Sequence, residues 1–325
     1  MKILICGGAG YVGSHMVRYV LDNGHDVVVY DNLSTGHRGS VPQGVPLVHG
    51  DIGDAGKLAR VFAEHRFDAV MHFCARSLVG ESVTDPYAYY ENNVGNTISL
   101  LEAMRHASVD RIVFSSTAAV FGHPVSDTID ETHPTVPINP YGQSKLMIEQ
   151  VLADAAKAYG LRSVALRYFN AAGASSCGSI GEAHDPETHL IPNVLKAVLG
   201  QGKGLKVFGT DYDTRDGTCV RDYVHVSDLA SAHMLAIDYM ARNEGAFTFN
   251  LGNGEGFSVR EVIAAAEKVT GRPVPHEFAE RRAGDPATLV ASSQQARDEL
   301  GWQPAMARME DILASAWNWH LQPRF

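Results

Sequence analysis

The segment that most limits how this chain can fold lies within its first 31 residues. The apolar run Ile3–Cys6 leads into Gly7-Gly-Ala-Gly10-Tyr-Val-Gly13, an amphipathic stretch follows, and a second apolar run, Val27–Tyr30, ends at Asp31. Glycines in such a turn let a ligand approach the backbone closely, and the helix after the turn attracts pyrophosphate to its N-terminus. The order of strand, loop, helix, strand and acid predicts a βαβ unit that binds a dinucleotide.

Asp31 indicates which dinucleotide this unit binds. An acid at the end of the second strand is placed to accept hydrogen bonds from the adenosine ribose hydroxyls. Because its charge repels a 2′-phosphate, we predict NAD rather than NADP as the cofactor. Gly50-Asp51-Ile52, which follows the apolar run at 45–49, is a short polar step suited to contact with the adenine ring.

The first half of the chain continues to alternate apolar runs with helical stretches. Runs that end near Phe73 and Thr117 lie on either side of a long helical stretch at 87–106. This alternation predicts an α/β fold with a doubly wound parallel sheet of the Rossmann type. Ligands bind beyond the carboxyl ends of such strands, so we expect Gly7, Asp31, Phe73 and Thr117 to line one cleft.

The length of 325 residues favours two domains. After residue 170 the sequence becomes richer in loop-forming Gly, Ala and Ser. We expect residues 1–170, with 222–252 returning to them, to form the NAD-binding domain. Residues 171–221 and 253–325 would form a second, smaller, mixed α/β substrate domain.

Charge and composition exclude several classes of function. A net charge of −10 argues against a nucleic-acid surface and gives no sign of attraction to a membrane. The four cysteines are scattered without a C-x-x-C pair, which is typical of a reducing compartment. Met1–Cys6 leads straight into the glycine loop and is too short for a signal peptide, and no run of about 18 apolar residues occurs. We therefore expect a soluble, cytoplasmic protein that binds neither nucleic acid nor a membrane.

A tyrosine and a lysine stand four residues apart in Asn139-Pro-Tyr-Gly-Gln-Ser-Lys145. The proline suits the first turn of a helix, and apolar positions continue the face that carries Tyr141 and Lys145. On its own, this pattern fits equally well a core tyrosine beside a lysine that extends to the surface. A dinucleotide site nearby gives the pair a chemical use.

A tyrosine with its ordinary pKa of about 10 is a poor base near neutral pH. The ammonium of Lys145 and the positive nicotinamide ring would both favour the phenolate of Tyr141. Tyr141 could then take a proton from a substrate hydroxyl while hydride leaves the same carbon for NAD. Thr117 would share a hydrogen bond with that hydroxyl.

The glycine loop, Thr117 and the Tyr141-x-x-x-Lys145 pair together resemble the extended short-chain dehydrogenase/reductase family. Within that family, the chain resembles the 4-epimerases that act on UDP-hexoses along its whole length. The matching segments are Gly7–Gly13, Asp31–Leu33, Gly50–Ile52, His72–Phe73, Val79–Ser82, Tyr90–Val94, Phe114–Ser116, Pro140–Gly142, Ser144–Leu146, Arg167–Asn170, Val220–Tyr223, Asn250–Gly252 and Arg281–Asp285.

The resemblance implies an isomerase of galactose metabolism that inverts carbon 4 of a UDP-hexose. Oxidation to a 4-keto sugar, rotation of that sugar about its link to UDP and reduction of its other face would regenerate NAD. The implied catalytic residues are Tyr141, Lys145 and Thr117, and the implied assembly is a homodimer.

The resemblance also implies the residues that contact each ligand. Those for NAD are Gly7, Gly10, Tyr11, Val12, Gly13, Asp31, Asn32, Asp51, Ile52, Phe73, Cys74, Ala75, Ser77, Asn92, Ser115, Tyr141, Lys145 and Tyr168. Those for the UDP-sugar are Thr117, Tyr141, Asn170, His189, Leu190, Val207, Phe208, Arg221, Arg282 and Asp285. The two arginines would bind phosphate oxygens, since a guanidinium is a planar fork of donors.

Alternative functions and substrates are compatible with some of these motifs. Related nucleotide-sugar dehydratases and decarboxylases carry acidic residues directly after the Ser/Thr, whereas Thr117 is followed by Ala118-Ala119. A non-catalytic NAD sensor would be expected to lack the tyrosine or the lysine. The size of Leu289, close to the sugar pocket in the family pattern, leaves UDP-N-acetylhexosamines and UDP-pentoses as alternative substrates.

The sequence predicts no metal site. His184 and His189 lie near acidic residues, Glu182, Asp185 and Glu187, but in a stretch that reads as a loop. An ordered set of ligands at regular spacing is not evident there.

Overall fold

A computed structural model describes residues 1–126, 128–202, 204–282 and 285–325. Its strands are β1 (Lys2–Cys6), β2 (Asp26–Asp31), β3 (Leu47–His49), β4 (Ala69–His72), β5 (Arg111–Thr117), β6 (Arg162–Tyr168), β7 (Asn170–Ala172), β8 (Leu205–Phe208), β9 (Val220–Arg221), β10 (Tyr223–His225), β11 (Ala246–Leu251), β12 (Phe257–Ser258), β13 (His276–Ala279) and β14 (Thr288–Leu289).

The α-helices alternate with these strands along the first two-thirds of the chain. They are α1 (Tyr11–Asp22), α2 (Ala55–Glu64), α3 (Val79–Thr84), α4 (Pro86–Tyr89), α5 (Asn96–His106), α6 (Pro140–Tyr159), α7 (Leu190–Val198), α8 (Val226–Met240), α9 (Val259–Thr270) and α10 (Met309–Leu321).

Seven strands form one parallel sheet in the order β11-β6-β5-β4-β1-β2-β3. From β1 the chain first builds outwards through β2 to β3, and then crosses back to add β4 to β6 on the other side. The strand order therefore reverses between β1 and β4, which is where open α/β sheets bind their ligands. The predicted doubly wound fold is confirmed.

Apolar side chains cover both faces of this sheet. One cluster joins the sheet to α1 and α8, and the other joins it to α2, α5 and α6. Strands buried on both faces are expected to be continuously apolar rather than alternating. The segments Ile3–Cys6 and Val27–Tyr30 have that composition, and every residue in them is buried.

Most of the chain after residue 171 forms smaller units. Its short strands pair as β10-β7, β12-β9-β14 and β13-β8, and a third apolar cluster includes residues of α7, α9 and α10. β11 is the exception, because it pairs with β6 at the edge of the large sheet. Among the described residues, no helix is both long enough and apolar enough to cross a bilayer.

One predicted element is confirmed and another differs in detail. The strand expected to end near Thr117 runs from Arg111 to Thr117, and Ser115–Thr117 pair in register with the end of β6. The helix expected at 87–106 is interrupted by a wider helical turn at Tyr90–Gly95. Asn93 in this turn is hydrogen-bonded to the distant Ser144, a contact that local periodicity does not report.

Candidate active site

Helix α6 fixes the first two candidate catalytic residues. Asn139 caps it by accepting a hydrogen bond from the Gly142 amide at 2.8 Å, and Pro140 occupies its first turn. A Cβ at Gly142 would lie 2.4 Å from the carbonyl oxygen of Ala119, so this close approach requires glycine. The helix start is thereby held against the turn that follows β5, with Tyr141 and Lys145 one turn apart.

Lys145 is buried beneath the end of β5. Its Nζ donates to the carbonyl oxygen of Ser115 at 2.7 Å and lies 4.7 Å from the centre of the Phe114 ring. Burial lowers the pKa of the ammonium to about 8, although the charges of Cys74 and Glu149 partly oppose this shift. Lys145 is therefore a buried cation, and the reading of a lysine that extends to the surface is excluded.

This buried charge gives a pH-dependent prediction for Lys145→Met. The pKa of Lys145 falls from 10.5 to about 8 on folding, so the unfolded chain holds the proton more tightly. Burial of the ammonium therefore destabilises the fold fully below about pH 8, and this penalty fades as the pH rises towards about 10.5. We expect Lys145→Met to be more stable than the wild type at pH 7, with a smaller difference at pH 9.5. Urea denaturation at both pH values measures this, and a difference that is independent of pH would contradict it.

Tyr141 lies beside Thr117, the last residue of β5. Burial raises the pKa of Tyr141 above its ordinary value, and a hydrogen bond from Thr117 only partly opposes that rise. The lowering of this pKa that we expect from the Lys145 ammonium and a bound nicotinamide stays a prediction. The Thr117 hydroxyl also accepts from the Ala119 amide at 3.2 Å, which holds it at the mouth of the site.

Glu149 on α6 and Arg167 on β6 form a buried ion pair that the sequence did not predict. The Glu149 carboxylate accepts from the Ser116 hydroxyl at 2.5 Å and from Arg167 Nε at 3.0 Å, and it also pairs with the Arg167 terminal nitrogen. The side chains of Glu149 and Arg167 are only 6% and 7% exposed. These bonds join α6 to β5 and β6, so they position the helix that carries Tyr141 and Lys145. A charged Glu149 one turn after Lys145 on a mostly apolar face was the available signal.

Asn93 also helps to position α6, and the sequence did not predict this role. Its amide oxygen accepts from the Arg76 amide at 2.8 Å, and its nitrogen donates to the Arg76 carbonyl at 3.0 Å and the Ser144 hydroxyl at 2.9 Å. These bonds tie the loop after β4 to α6. The neighbouring Asn92, a predicted NAD contact, reaches the Cys74 carbonyl at 3.4 Å.

The glycine loop has the space that a dinucleotide requires. A Cβ at Gly7 would meet the Phe73 backbone at 2.6 Å, and one at Gly13 would meet the Gly7 oxygen at 2.0 Å. These two glycines therefore allow tight packing of the loop and α1. A Cβ at Gly10 would have the Gly7 oxygen as its nearest contact, at 3.4 Å, and no side chain caps the start of α1. This opening at a helix N-terminus fits a pyrophosphate.

Asp31 and Asp51 lie at the ends of neighbouring chain segments. The buried carboxylate of Asp31 accepts from the backbone amides of Ala9 and Leu33, each at 2.8 Å. Asn32 donates to Asp51 at 2.8 Å. The remaining acceptor capacity of these two carboxylates is available for ribose hydroxyls and adenine.

The other predicted NAD contacts are distributed around the switch point of the sheet. Phe73, Cys74 and Ala75 are half-buried directly after β4, whereas Ser77 is exposed. The remaining side chains are less available, as the Tyr11 hydroxyl donates to the Gly173 carbonyl at 2.6 Å and Ile52 is buried in the core. Val12 and Tyr168 pack against the core, and the Ser115 hydroxyl faces His233 at 3.3 Å.

Five of the predicted UDP-sugar contacts take part in interactions within the protein. Arg221 lies 3.6 Å from the Asp285 carboxylate, and the Arg282 guanidinium lies 4.0 Å above the Phe208 ring. Asn170 donates to the Asp222 carbonyl at 2.7 Å, which links the start of β7 to the residue that follows Arg221. Two other residues of the Arg281–Asp285 motif, Ala283 and Gly284, lie outside the described residues.

Two predicted substrate contacts are placed differently from the rest. The Val207 side chain is buried in the core at 1% exposed, so only its backbone could reach a ligand. Leu190 begins α7, and His189 directly before it turns its Nδ1 towards Glu182. Ligand atoms of Glu182, His184, Glu187 and His189 all lie within 4.8 Å of one another, a convergence that the sequence did not predict.

Comparison with known proteins agrees with this geometry. The model of the NAD dependent epimerase/dehydratase family matches residues 3–252. A UDP-glucose 4-epimerase of Halalkalibacterium halodurans is 53% identical over 98% of this chain and 96% of its own length.

Solved structures match along the whole chain as well. The UDP-glucose 4-epimerase from Brucella ovis in complex with NAD has a TM-score of 0.94 at 46% identity, with 98% of each chain covered. The UDP-glucose 4-epimerase from Bifidobacterium longum in complex with NAD+ and UDP has a TM-score of 0.94 at 41% identity, with 99% of each chain covered. The chain therefore belongs to the NAD dependent epimerase/dehydratase family.

Proposed function

We propose that this enzyme inverts carbon 4 of a UDP-hexose and thereby interconverts UDP-glucose and UDP-galactose. The observation that carries this proposal is the placement of Thr117, Tyr141 and Lys145 at one strand end, beside a glycine loop with room for NAD. The relatives named UDP-glucose 4-epimerase support the choice of substrate.

When bound, NAD supplies an oxidised nicotinamide that takes a hydride from carbon 4 of the sugar and gives it back. Tyr141 receives the proton of the 4-hydroxyl as the C–H bond breaks, which leaves a 4-keto sugar. After this sugar turns about its link to UDP, Tyr141 returns the proton to the carbonyl oxygen while the C–H bond forms on the other face. Thr117 holds the reacting oxygen by a hydrogen bond throughout.

The turn after Thr117 favours epimerisation over elimination. Ala118 and Ala119 form this turn together with Val120, and neither alanine can donate or accept a proton through its side chain. Loss of water or carbon dioxide from the sugar would need an acid or base there, as in the related dehydratases and decarboxylases. A 4-keto intermediate in this site is therefore reduced again.

A UDP group would bind mainly through Asn170, Arg221, Arg282, Phe208 and Asp285. The stack of Arg282 on Phe208 joins a phosphate-binding cation to an aromatic surface for uracil, and Arg221 beside Asp285 joins phosphate to ribose recognition. We assign 171–221 and 253–325 to this substrate domain. The pairing of β11 with β6 supports the return of 222–252 to the NAD-binding domain.

We also propose a cytoplasmic homodimer. Val83, Tyr87 and Ile98 on α3, α4 and α5 are 62%, 85% and 42% exposed, which supports association through these helices. The four unpaired thiols support a reducing compartment. Sedimentation of the wild type and Tyr87→Glu tests the assembly, with a dimer expected for the first and a monomer for the second. Identical masses would exclude this surface as the interface.

The activity is tested by incubating the purified chain separately with UDP-galactose and with UDP-N-acetylgalactosamine, without added NAD. We expect UDP-galactose to be converted to UDP-glucose by retained cofactor. Conversion of the N-acetylated sugar alone would reassign the substrate. The residue that would set this choice is Leu289, which packs in one cluster with Phe169 and the turn after β5. Conversion of neither sugar, even after NAD is added, would overturn the proposal.

Removal of the Thr117 hydroxyl tests whether the hydroxyl or the shape of the side chain supports the reaction. Thr117→Val keeps the shape of the side chain but removes the hydrogen bond to the reacting oxygen, so we expect kcat to fall about 10²-fold. Thr117→Ser keeps the hydroxyl and should retain most of the activity. Steady-state kinetics measures both variants, and equal losses in the two would show that shape rather than hydrogen bonding matters.

A further inference from the structure

We propose that Glu182, His184, Glu187 and His189 bind one divalent transition-metal ion of the zinc type, at a structural site distinct from the catalytic residues. These residues, here called the loop cluster, lie in the segment between β7 and α7. Their ligand atoms, one from each side chain, are all within 4.8 Å of one another. The proposal is independent of the assigned catalytic activity.

The separations within the loop cluster suit a small metal ion. His184 Nδ1 lies 3.1 Å from Glu182 Oε1, and His189 Nδ1 lies 3.8 Å from Glu187 Oε1, while His189 Nδ1 also contacts Glu182 Oε1. Tetrahedral zinc with bonds of about 2.0–2.1 Å places neighbouring ligands about 3.3 Å apart. Small movements of four side chains would therefore complete a coordination sphere.

Charge balance is the second observation that points to a cation. The side chains of Glu182 and Glu187 are only 5% and 4% exposed, and two buried carboxylates this close together repel each other. A divalent cation between the two carboxylates would relieve both the repulsion and the cost of burial.

Glu187 has one carboxylate oxygen that is not used in hydrogen bonding within the part of the chain that the structure describes. Its Oε1 accepts from the backbone amides of Thr188 and His189 at 2.8 and 2.9 Å. Its Oε2 is buried and has no hydrogen-bond partner among the described residues. A buried acceptor left in this state is costly unless a ligand or an ion uses it.

The surroundings of the loop cluster hold its ligands in place and leave it open to solvent. Trp319 donates from Nε1 to the Glu182 carbonyl at 2.9 Å, and the Tyr11 ring lies edge-on to the His184 ring at 6.2 Å. The side chains of His184 and His189 are 32% and 52% exposed, which provides a route of entry. Such outer contacts are what orients metal ligands in proteins.

The donor set selects among metals. Two imidazole nitrogens with carboxylate oxygens suit zinc and neighbouring transition metals, whereas magnesium prefers oxygen ligands alone. Because His189 directly precedes Leu190, an ion here would join the start of α7 to a loop that packs on α1 and α10. We infer a structural role that fixes the start of α7 relative to α1 and α10.

The test uses the full chain, freed of metal by a chelator and then dialysed against zinc chloride. We expect one zinc ion per chain by elemental analysis, and X-ray absorption should show two nitrogen ligands at about 2.0–2.1 Å. Zinc should also raise the unfolding temperature by about 3–5 °C when present well above its Kd. Magnesium chloride should do neither.

Two variants locate the ion. Glu187→Gln keeps an oxygen that accepts from the backbone amides of Thr188 and His189 but removes the charge, and His184→Ala removes one nitrogen ligand. Each should weaken zinc binding at least about tenfold, whereas His106→Ala, an exposed histidine on α5, should bind zinc as the wild type does. Three results would overturn the proposal: less than stoichiometric zinc in the wild type, zinc binding by Glu187→Gln or His184→Ala as tight as that of the wild type, or equal stabilisation by magnesium.

Discussion

Tyr141→Phe is expected to lower kcat for UDP-galactose about 10²–10⁴-fold while the protein keeps its NAD. Positioned acid–base groups contribute rate factors of that size. The lost hydroxyl lies beside Thr117 and is the group that we propose takes up and returns the proton of the sugar oxygen. The phenyl ring keeps the packing against Tyr89, whose ring centre lies 6.5 Å away. Steady-state kinetics and the absorbance of released cofactor measure the two effects separately.

Tyr89→Phe is the matched control. It removes a hydroxyl that lies in the same part of the structure but donates to the Leu78 carbonyl and the Glu81 carboxylate. We expect it to lower stability by about 1 kcal/mol and to leave kcat within about twofold of the wild type. Comparable kcat losses in the two variants would show that Tyr141 acts through packing rather than proton transfer.

Arg167→Met is expected to lower the free energy of unfolding by about 3–5 kcal/mol. The substitution leaves the Glu149 carboxylate buried without its cation, and uncompensated buried charges carry penalties of this size. Because Glu149 holds α6 against β5 and β6, kcat should fall as well, through displacement of Tyr141. Urea denaturation and kinetics measure the two consequences.

Lys268→Met removes a cation from an exposed pair and serves as the comparison. Lys268 pairs with Glu310 at 3.0 Å, with side chains 71% and 32% exposed, so its loss should cost about 0–1 kcal/mol. Glu149→Gln combined with Arg167→Met should recover part of the stability lost in Arg167→Met, because it removes the orphaned charge. A cost for Arg167→Met no larger than that for Lys268→Met would show that the buried pair is not what holds α6.

Local sequence patterns predicted those parts of the protein that depend on neighbours in the chain. The glycine loop, the apolar strands and the capped start of α6 each follow from residues within about ten positions of one another, so the fold class and its NAD-binding unit could be read directly. The contact of Lys145 with the Ser115 carbonyl, 30 residues earlier in the chain, could not be predicted from such local spacing.

Contacts between distant segments of the chain could not be predicted from the sequence. Glu149 and Arg167 lie 18 residues apart, and Asn93 and Ser144 lie 51 residues apart, so no periodicity marks them as partners. The family resemblance predicted that Val207 contacts the UDP-sugar, yet its side chain is buried in the core. In each case the packing of helices onto the sheet decides which side chains meet.

The sequence by itself determined the parallel sheet, the preference for NAD and the family to which the chain belongs, because these depend on motifs with fixed local spacing. The tertiary structure alone decided which polar groups share a buried space. It placed Lys145 under β5, paired Glu149 with Arg167 and brought the loop cluster together from a stretch without regular spacing. These contacts matter for stability and chemistry because a buried charge costs free energy unless another group pairs with it.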